Sequence, residues 1–256
     1  MKREYEDELV SVITPVYNAG KVIGKTLESI FNQTYKKIEV VLVDDCSKDN
    51  SSEVILSYRT SHPEIVYFRQ LENLGAGAAR NKALELANGQ YVAFLDADDI
   101  WHPEKIERQI NLLKEKKGAF AFTAIQMVDE NDKIVKTKRG VRETVDYDFL
   151  LHNTMIATST VLVDRTILGD FRMPLRRGGQ DYATWLMLLR NGVVAYGINE
   201  ALVDYRVGNK DSLASNKWKS LKQVWEIQTV DEGVNHLKAA FDICLFALNA
   251  VKKYFL

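Results

Sequence analysis

The sequence predicts an α/β fold: a mostly parallel sheet, then a mixed half, then a C-terminal helical segment. Three observations predict it. Short, β-branched apolar runs alternate with helical periodicities from Leu9 to Lys116, the pattern of parallel strands joined by crossover helices. Those runs are apolar throughout rather than at every second position, as strands covered on both faces must be. Three of the first four strands end in polar clusters, Pro15-Val16-Tyr17-Asn18, Asp44-Asp45 and Asp96-Ala97-Asp98-Asp99. Ligands of such sheets gather outside the carboxyl ends of the strands.

Each element follows in order. Leu9 to Thr14 (LVSVIT) is a β-branched run closed by Pro15, a buried strand. Val22, Ile23, Leu27, Ile30 and Phe31 recur at helical spacing within Lys21 to Asn32. Ile38 to Val43 is the second strand. Asn50 or Ser51 caps a helix to about Thr60, with Glu53 in the first turn, where the helix end favours an anion. Ile65 to Arg69 is the third strand, and Ala76 to Ala87 a helix closed by Asn88-Gly89. Tyr91 to Leu95 is the fourth strand, after which Pro103 opens a helix to about Lys116. Beyond Gly118 the alternation is lost. Ala119 to Val128 and Lys133 to Lys138 read as strands joined by an Asp129-Glu130-Asn131-Asp132 turn, and Thr158 to Val163 as a short strand. Tyr182 to Arg190 is helical, and Val193 to Ile198 and Ala201 to Tyr205 are strand pieces. From about Ser215 the pattern is helical to the end.

Bulk properties narrow the function. With 256 residues, 46% apolar and 27% charged, the chain has the composition of a globular protein of one large domain. A net charge of −1 gives no global reason to expect nucleic-acid binding. Cys46 and Cys244 lie far apart and imply neither a metal cluster nor a disulfide framework. The charged start MKREYEDELVSV is not a signal peptide, and no apolar run is long enough to span a bilayer, so a cytoplasmic location is expected. His62, His102, His152 and His236 show no metal-ligand spacing, and no serine stands in a nucleophile elbow.

The candidate chemistry sits at the strand ends. Asp96, Asp98 and Asp99 repel one another and are tolerable only if solvated, paired or bound to a cation. Carboxylate oxygens are hard ligands suited to Mg²⁺ or Mn²⁺, and a cation there would bridge phosphate oxygens. The same residues also read as a solvated turn before the next helix. Asp44 and Asp45 would accept hydrogen bonds from a base or ribose, or hold a turn. Tyr17 offers a ring face to a base, or packs on the surface. Gly75-Ala76-Gly77-Ala78-Ala79-Arg80 matches the dinucleotide fingerprint poorly, since Arg80 replaces the third glycine and the run follows the third strand. Arg80 would face a phosphate or base edge, or an ion-pair partner. Asp181, near a helix start with Trp185 one turn on, is either a general base or an N-cap over a core tryptophan.

Taken together, Val10 to Asn18 (VSVITPVYN), Val43 to Ser51 (VDDCSKDNS), Asn73 to Asn81 (NLGAGAARN), Phe94 to Asp99 (FLDADD) and Gln180 to Leu186 (QDYATWL) resemble family 2 of inverting glycosyltransferases, with a Rossmann-like GT-A fold. The sequence is similar to small bacterial members that build surface polysaccharides such as O-antigen, capsule or teichuronic acid. The resemblance implies a nucleotide-sugar-binding half at 1–117, an acceptor-binding and catalytic half at 118–214 and a helical extension at 215–256. It implies that Pro15 and Tyr17 border the base, that Asp45 hydrogen-bonds it (uracil being the commonest case) and that Asp44 supports that turn. Arg80 would line the donor site. Asp96 and the adjoining Ala97 would meet the ribose or sugar, and Asp98 would bind Mn²⁺ or Mg²⁺ across the diphosphate. Asp181 would be the catalytic base, with Trp185 and Arg206 on the acceptor side. The partners implied are a nucleotide-sugar donor and a glycan or lipid-linked saccharide acceptor.

Two departures bear on these roles. Gln180 stands where many relatives carry glutamate, and Val207-Gly208-Asn209 follows Tyr205-Arg206 without the histidine that helps hold the metal in many relatives. The metal site would then rest on fewer protein ligands, or Ser212 to Asn216 would close over it. A non-catalytic nucleotide-sugar-binding protein is opposed by the presence of Asp96, Asp98 and Asp181. A nucleotidyltransferase is opposed by the lack of arginine or lysine between Val12 and Gly20. Leu237, Phe241, Cys244, Leu248, Val251 and Phe255 form an apolar helical seam, as do Trp218, Leu221 and Trp225. That seam packs on the domain, forms a homodimer or touches a membrane surface beside Lys252-Lys253.

Overall fold

The computed structural model describes residues 4–176, 178–208 and 217–255. Strands β1 (Glu6–Val16), β2 (Ile38–Asp44), β3 (Ile65–Arg69) and β4 (Gly89–Phe94) are parallel, in the order β3-β2-β1-β4. The sheet continues through five further strands: β5 (Ile100–Trp101), β6 (Phe120–Val128), β7 (Ile134–Arg139), β9 (Leu162–Asp164) and β10 (Ala195–Arg206). β9 lies antiparallel between β4 and β6, β6 runs parallel to β10, and β5 pairs antiparallel with β10. β7 hangs on β6, and the short β8 (Thr144–Val145) on β10. The chain thus forms the expected parallel half followed by a mixed half, in one continuous sheet.

Period-two alternation divides the strand residues between two cores. Val10, Val12, Val40 and Leu42 face one side, where α1 (Ile23–Phe31), α2 (Ser51–Arg59) and α4 (Lys105–Lys116) cover them. Ile13, Val41, Val43, Phe94, Phe120 and Phe122 face the other, under α3 (Ala76–Leu86), α5 (Tyr147–Leu151) and α7 (Gln180–Leu189). Both faces are dry, which explains the uninterrupted apolar strands. The short α6 (Arg165–Leu168) supplies Arg165, which is 1% exposed and donates to the Ala87 carbonyl at 3.1 Å and the Gly89 carbonyl. Those carbonyls end α3 and open β4, so one cation satisfies acceptors that burial would otherwise orphan.

Several boundaries differ from the sequence reading. β1 passes through Pro15 to Val16, because a parallel partner with register Pro15↔Val43 tolerates the missing donor near a strand end. α4 begins at Lys105, two residues past Pro103, whose carbonyl instead accepts from Thr34 N–H at 2.8 Å. The stretch read as a strand from Thr158 is a 3-10 turn over Thr158–Thr160, followed by β9. The two strand pieces at 193–198 and 201–205 are the one strand β10, with register irregularities between Ile198 and Asp204. The helical extension is α8 (Lys217–Glu226), a π-helical turn (Ile227–Asp231) and α9 (His236–Phe255). α9 packs inward through Ala239 and Phe246, with Asp242 beneath it on His152 at 2.7 Å, while Leu237 and Phe241 face outward. Trp218, Leu248, Val251, Phe255 and the pair Lys252-Lys253 lie outside the residues whose side chains are described, as does the whole of Ser212 to Asn216.

Candidate active site

The carboxyl ends of β1, β2 and β4 meet at one edge, and hydrogen bonds there join segments far apart in sequence. After β1, Asn18 takes a left-handed backbone (φ 50°) and its carboxamide oxygen accepts from Lys48 N–H at 2.8 Å. Ala19 N–H donates to Ser51 Oγ and Gly20 N–H to Asp49 Oδ2. Pro15 and Tyr17 flank this turn, and the Tyr17 ring is 51% exposed at the edge. Asp44 is fully buried, and accepts from Ser47 N–H, Ser52 Oγ and Tyr67 Oη. Burial alone would raise its pKa, but those donors outweigh burial and hold it below the ordinary aspartate value. Asp44 therefore braces the turn.

Asp45 holds a loop. Its Oδ1 accepts from Gln70 Nε2 at 2.5 Å and Leu74 N–H at 2.7 Å, and its Oδ2 from Gly75 N–H at 2.8 Å. A carboxylate has about four acceptor sites, so one remains for a ligand donor. These bonds set the start of α3, which delivers Arg80. Arg80 does not face outward as a phosphate contact: it is 8% exposed, and its Nη2 donates to Asp96 Oδ1 at 2.5 Å. Burial opposes its charge, yet Asp96 and then Asp181 keep its pKa above the ordinary value. Arg80 thus lies in the field of the two carboxylates that the sequence separates by 85 positions (181 − 96).

The loop Asp96 to Asp99 is held from three sides. Thr26 Oγ1 lies 2.8 Å from the Ala97 carbonyl and 3.0 Å from that of Asp99. Asp96 N–H donates to Ser159 Oγ at 3.0 Å, and Ser159 Oγ donates to Asp99 Oδ2 at 2.5 Å. Arg206 N–H donates to Asp99 Oδ1 at 2.9 Å. Asp99 is 1% exposed and is no helix cap; burial first, then the charges of Asp96 and Asp98, push its pKa well up. Asp98 differs from both neighbours. It is partly buried, and among the described residues no other side chain hydrogen-bonds to its carboxylate, whose pKa is raised by burial and by Asp96.

The 3-10 turn Thr158–Thr160 joins this loop to α7. Thr158 Oγ1 donates to Asp181 Oδ2 at 3.3 Å, Ser159 holds Asp96 and Asp99, and the Ser159 carbonyl accepts from Trp101 Nε1 at 2.8 Å. Asp181 sits in the first turn of α7, whose N-cap Gly179 has φ 66°, a conformation that favours glycine. α3 and α7 approach closely here: a Cβ on Gly77 would stand 2.7 Å from the Gln180 carboxamide. Tyr205, at the end of β10, has its pKa raised by burial and then by Asp99, Asp96 and Asp181. The sequence reading placed Asp99 in the acidic cluster but gave it no role of its own, and it missed Ser159, Thr158 and Thr26 as parts of the site. The polar run Thr158-Ser159-Thr160 at the mouth of an otherwise apolar strand is the signal that marks it.

Two acceptor-side expectations are corrected. Trp185 is 1% exposed and packs edge-on against Phe94 and Phe120, with centroids at 5.5 and 5.4 Å. Its helix turns that face into the core, so it supports α7 rather than meeting a ligand. Each nitrogen of the Arg206 guanidinium is tied to the protein, which uses three of its five N–H donors: Nε with the Asp98 carbonyl at 3.0 Å, Nη1 with the Asp129 carbonyl at 2.7 Å, and Nη2 with the Asp132 carboxylate at 2.5 Å. Arg206 clips the β6–β7 turn to the acidic loop. The donor set fits a hard divalent cation held by few protein atoms. Among the described residues no cluster of three His, Cys, Asp or Glu could ligate one. Asp98, with no side-chain partner, can offer one carboxylate to an ion completed by phosphate and water oxygens.

A parallel β3-β2-β1-β4 half joined to a mixed half, with an acidic loop at the end of β4, is the architecture of the GT-A glycosyltransferases. Solved structures support that class. The chain superposes on TarS 1-349 from S. aureus in complex with UDP with a TM-score of 0.68 and 22% identity, over 93% of this chain and 70% of that one. It superposes on the mannosyltransferase PcManGT from Pyrobaculum calidifontis, in complex with GDP-Man and Mn²⁺, with a TM-score of 0.69 and 19% identity, over 97% and 75%. Residues 11–172 match the model described as glycosyl transferase family 2, and the chain belongs to that family. It is 42% identical to the putative teichuronic acid biosynthesis glycosyltransferase TuaG of Bacillus subtilis (strain 168), over 96% of this chain and 97% of that one. It is 34% identical to WfgD of Escherichia coli, named a UDP-Glc:alpha-D-GlcNAc-diphosphoundecaprenol beta-1,3-glucosyltransferase, over 87% and 86%. The protein is a glycosyltransferase.

Proposed function

We propose that this enzyme transfers a sugar from a UDP-linked donor to a hydroxyl of a lipid-linked saccharide, with inversion at the anomeric carbon and with a divalent metal bound at Asp98. The observation that carries the reading is the division of labour among the three clustered carboxylates. Asp96 is neutralised by Arg80, Asp99 is buried on Ser159 and the Arg206 amide, and Asp98 alone is left for an external cation. Bound Mn²⁺ or Mg²⁺ would offset the charge that develops on the leaving diphosphate. The name of the Escherichia coli relative supports a UDP-linked donor and a lipid-linked acceptor, and that of the Bacillus subtilis relative supports a role in polysaccharide biosynthesis.

The chain's own residues supply the rest. Tyr17 gives a ring face to the base, and Asp45 retains one acceptor site toward it. Arg80 holds Asp96 in place as the sugar and ribose contact. Asp181 accepts the proton of the acceptor hydroxyl as its oxygen attacks the anomeric carbon from the face opposite the diphosphate. Thr158 orients the Asp181 carboxylate through Oδ2, which leaves Oδ1 for that proton. The test is sugar transfer from UDP-glucose and related donors in chelator, with Mn²⁺ restored afterwards, and NMR of the anomeric linkage formed. Asp98→Asn is expected to lower metal affinity and to abolish the recovery. Full turnover in excess chelator, or a retained anomeric configuration, refutes the reading.

A further inference from the structure

The stretch Lys133 to Arg142 (KIVKTKRGVR) has five basic residues and no acidic one, in a chain of net charge −1. It forms β7 and the turn beyond it. β7 is exposed along its length except at Arg139, and it hydrogen-bonds to β6 and to no other strand among the described residues. Two branched aliphatic side chains stand in the open there, Ile134 at 51% and Val135 at 60% exposure. Lys133 and Lys136 form no ion pair among the described residues; of the acids beside them, Asp132 is taken by Lys25 and Arg206, Asp129 accepts the Asn131 and Lys133 N–H groups, Glu200 is held by Arg108, and Glu130 is exposed at the tip. Exposed aliphatics on an edge strand are a liability that proteins normally bury or avoid. Their retention beside Lys133 and Lys136 gives the surface two kinds of affinity, for apolar groups and for anions.

The position of this hairpin is as telling as its charge. Arg206 binds the Asp98 carbonyl, the Asp129 carbonyl and the Asp132 carboxylate at once, so the tip of the β6–β7 hairpin is fixed against the acidic loop of the active site. We infer that the β6–β7 hairpin docks the enzyme on an anionic lipid surface, with Lys133, Lys136 and Lys138 at the headgroups and Ile134 and Val135 at the interface. This rests on the reading of a lipid-linked acceptor, because a bilayer seated there lies beside the acidic loop of the site at which such an acceptor would meet the donor. Point charges with aliphatics suit headgroups and acyl chains. A single-stranded nucleic acid would call for stacking aromatics, and 133–142 contains none.

The test is co-sedimentation of the full chain with phosphatidylcholine vesicles, with and without phosphatidylglycerol. Each cation near such a surface contributes about a fivefold factor in partitioning. The triple variant Lys133→Gln, Lys136→Gln, Lys138→Gln is therefore expected to bind anionic vesicles about a hundredfold more weakly, and Ile134→Ser with Val135→Ser to weaken binding further. Salt at about 1 M, where the screening length falls to about 3 Å, is expected to remove most of the attraction. Equal binding to neutral and anionic vesicles, or a triple variant that binds like the parent, overturns the proposal. So does loss of binding in Leu237→Ser, Phe241→Ser alone, which would move the contact to α9. A triple variant with weakened affinity for a soluble prenyl diphosphate saccharide in the absence of vesicles would assign the cations to the acceptor's own diphosphate, and also overturns it. Vesicle binding needs neither donor nor acceptor. It therefore stands or falls separately from the transfer reaction, which UDP release with a detergent-solubilised acceptor scores for parent and variant alike.

Discussion

Ser159→Ala tests whether the 3-10 turn holds the acidic loop in place. Ser159 is fully buried, accepts the Asp96 N–H at 3.0 Å and donates to Asp99 Oδ2 at 2.5 Å. Alanine keeps the volume of the β-carbon and removes both bonds. One backbone donor and one buried carboxyl oxygen then lose their partner, at about 1–3 kcal/mol each. Asp99 keeps its bond from Arg206 N–H, which limits the second cost, so the expected loss of stability is about 2–4 kcal/mol. Urea unfolding followed by circular dichroism measures it. The displaced loop carries Asp98, so UDP affinity in the presence of Mn²⁺ is expected to fall about tenfold, equivalent to about 1.4 kcal/mol. Thr160→Val is the control, because Thr160 Oγ1 bonds only locally, to the Ala157 carbonyl at 2.6 Å. A Ser159→Ala protein that loses less than about 0.5 kcal/mol and binds UDP normally would show that the loop does not depend on this turn.

The remaining expectations concern proton transfer and pH. Asp181→Asn is expected to lower kcat by about 10²–10⁴ while donor affinity holds, since a carboxamide keeps the Thr158 contact but takes no proton; stopped assays of UDP release decide, and near-normal kcat removes Asp181 from the role. Lys105 is fully buried, donates to Gln109 Oε1 at 2.7 Å and lies 4.0 Å from the Trp101 ring centroid, and burial pushes its pKa well below the ordinary lysine value. The unfolded chain then holds a proton that the folded one releases, so this group makes stability rise with pH, by up to about 1.4 kcal/mol per unit, until the unfolded lysine itself titrates near pH 10.4. Lys105→Met is expected to remove that slope in the pH range just below the unfolded lysine value; an unchanged slope in urea titrations refutes it. The hydrogen bond to Asp204 at 2.9 Å raises the pKa of His102 against the opposing effect of burial. Its contribution is full below about pH 6.5 and is lost as pH rises through the raised folded value. The imidazole is 38% exposed, so solvent screening keeps the effect of His102→Gln under about 1 kcal/mol; a pH-independent difference would contradict the assignment.

The parallel half was legible because its signals are local and redundant. Period, length and β-branching agree for Ile38–Asp44 and Ile65–Arg69, and both strands fall within a residue of their expected bounds. The mixed half was less legible because tertiary contacts decide it. Thr158-Ser159-Thr160 carries β-branched residues that favour a strand, yet their hydroxyls bind Asp181, Asp96, Asp99 and the Ala157 carbonyl, and the chain turns to make those bonds. Trp185 shows the converse. Four residues after Asp181 it shares that residue's helical face by spacing, but α7 is buried along nearly its whole length. A period of 3.6 does not identify a ligand-facing side on a helix that is apolar all round.

The acidic loop shows where reading a motif must stop. Three carboxylates in four residues require compensation, and that follows from charge alone. Which group compensates which does not, because the partners come from elsewhere: Arg80 is 16 residues from Asp96, Ser159 is 60 from Asp99, and the Arg206 amide is 107 from Asp99. Once those partners are in place the three aspartates are no longer equivalent. Asp99 is an internal acceptor whose raised pKa reflects its isolation from water, and Asp96 is half of an ion pair. Only Asp98 combines a raised pKa with the lack of a side-chain partner, a combination that disfavours the free anion and that an added cation relieves. The folded chain thus leaves one of the three carboxylates, Asp98, without a side-chain hydrogen bond and offset by the nearby charge of Arg206, at the carboxyl edge of the sheet.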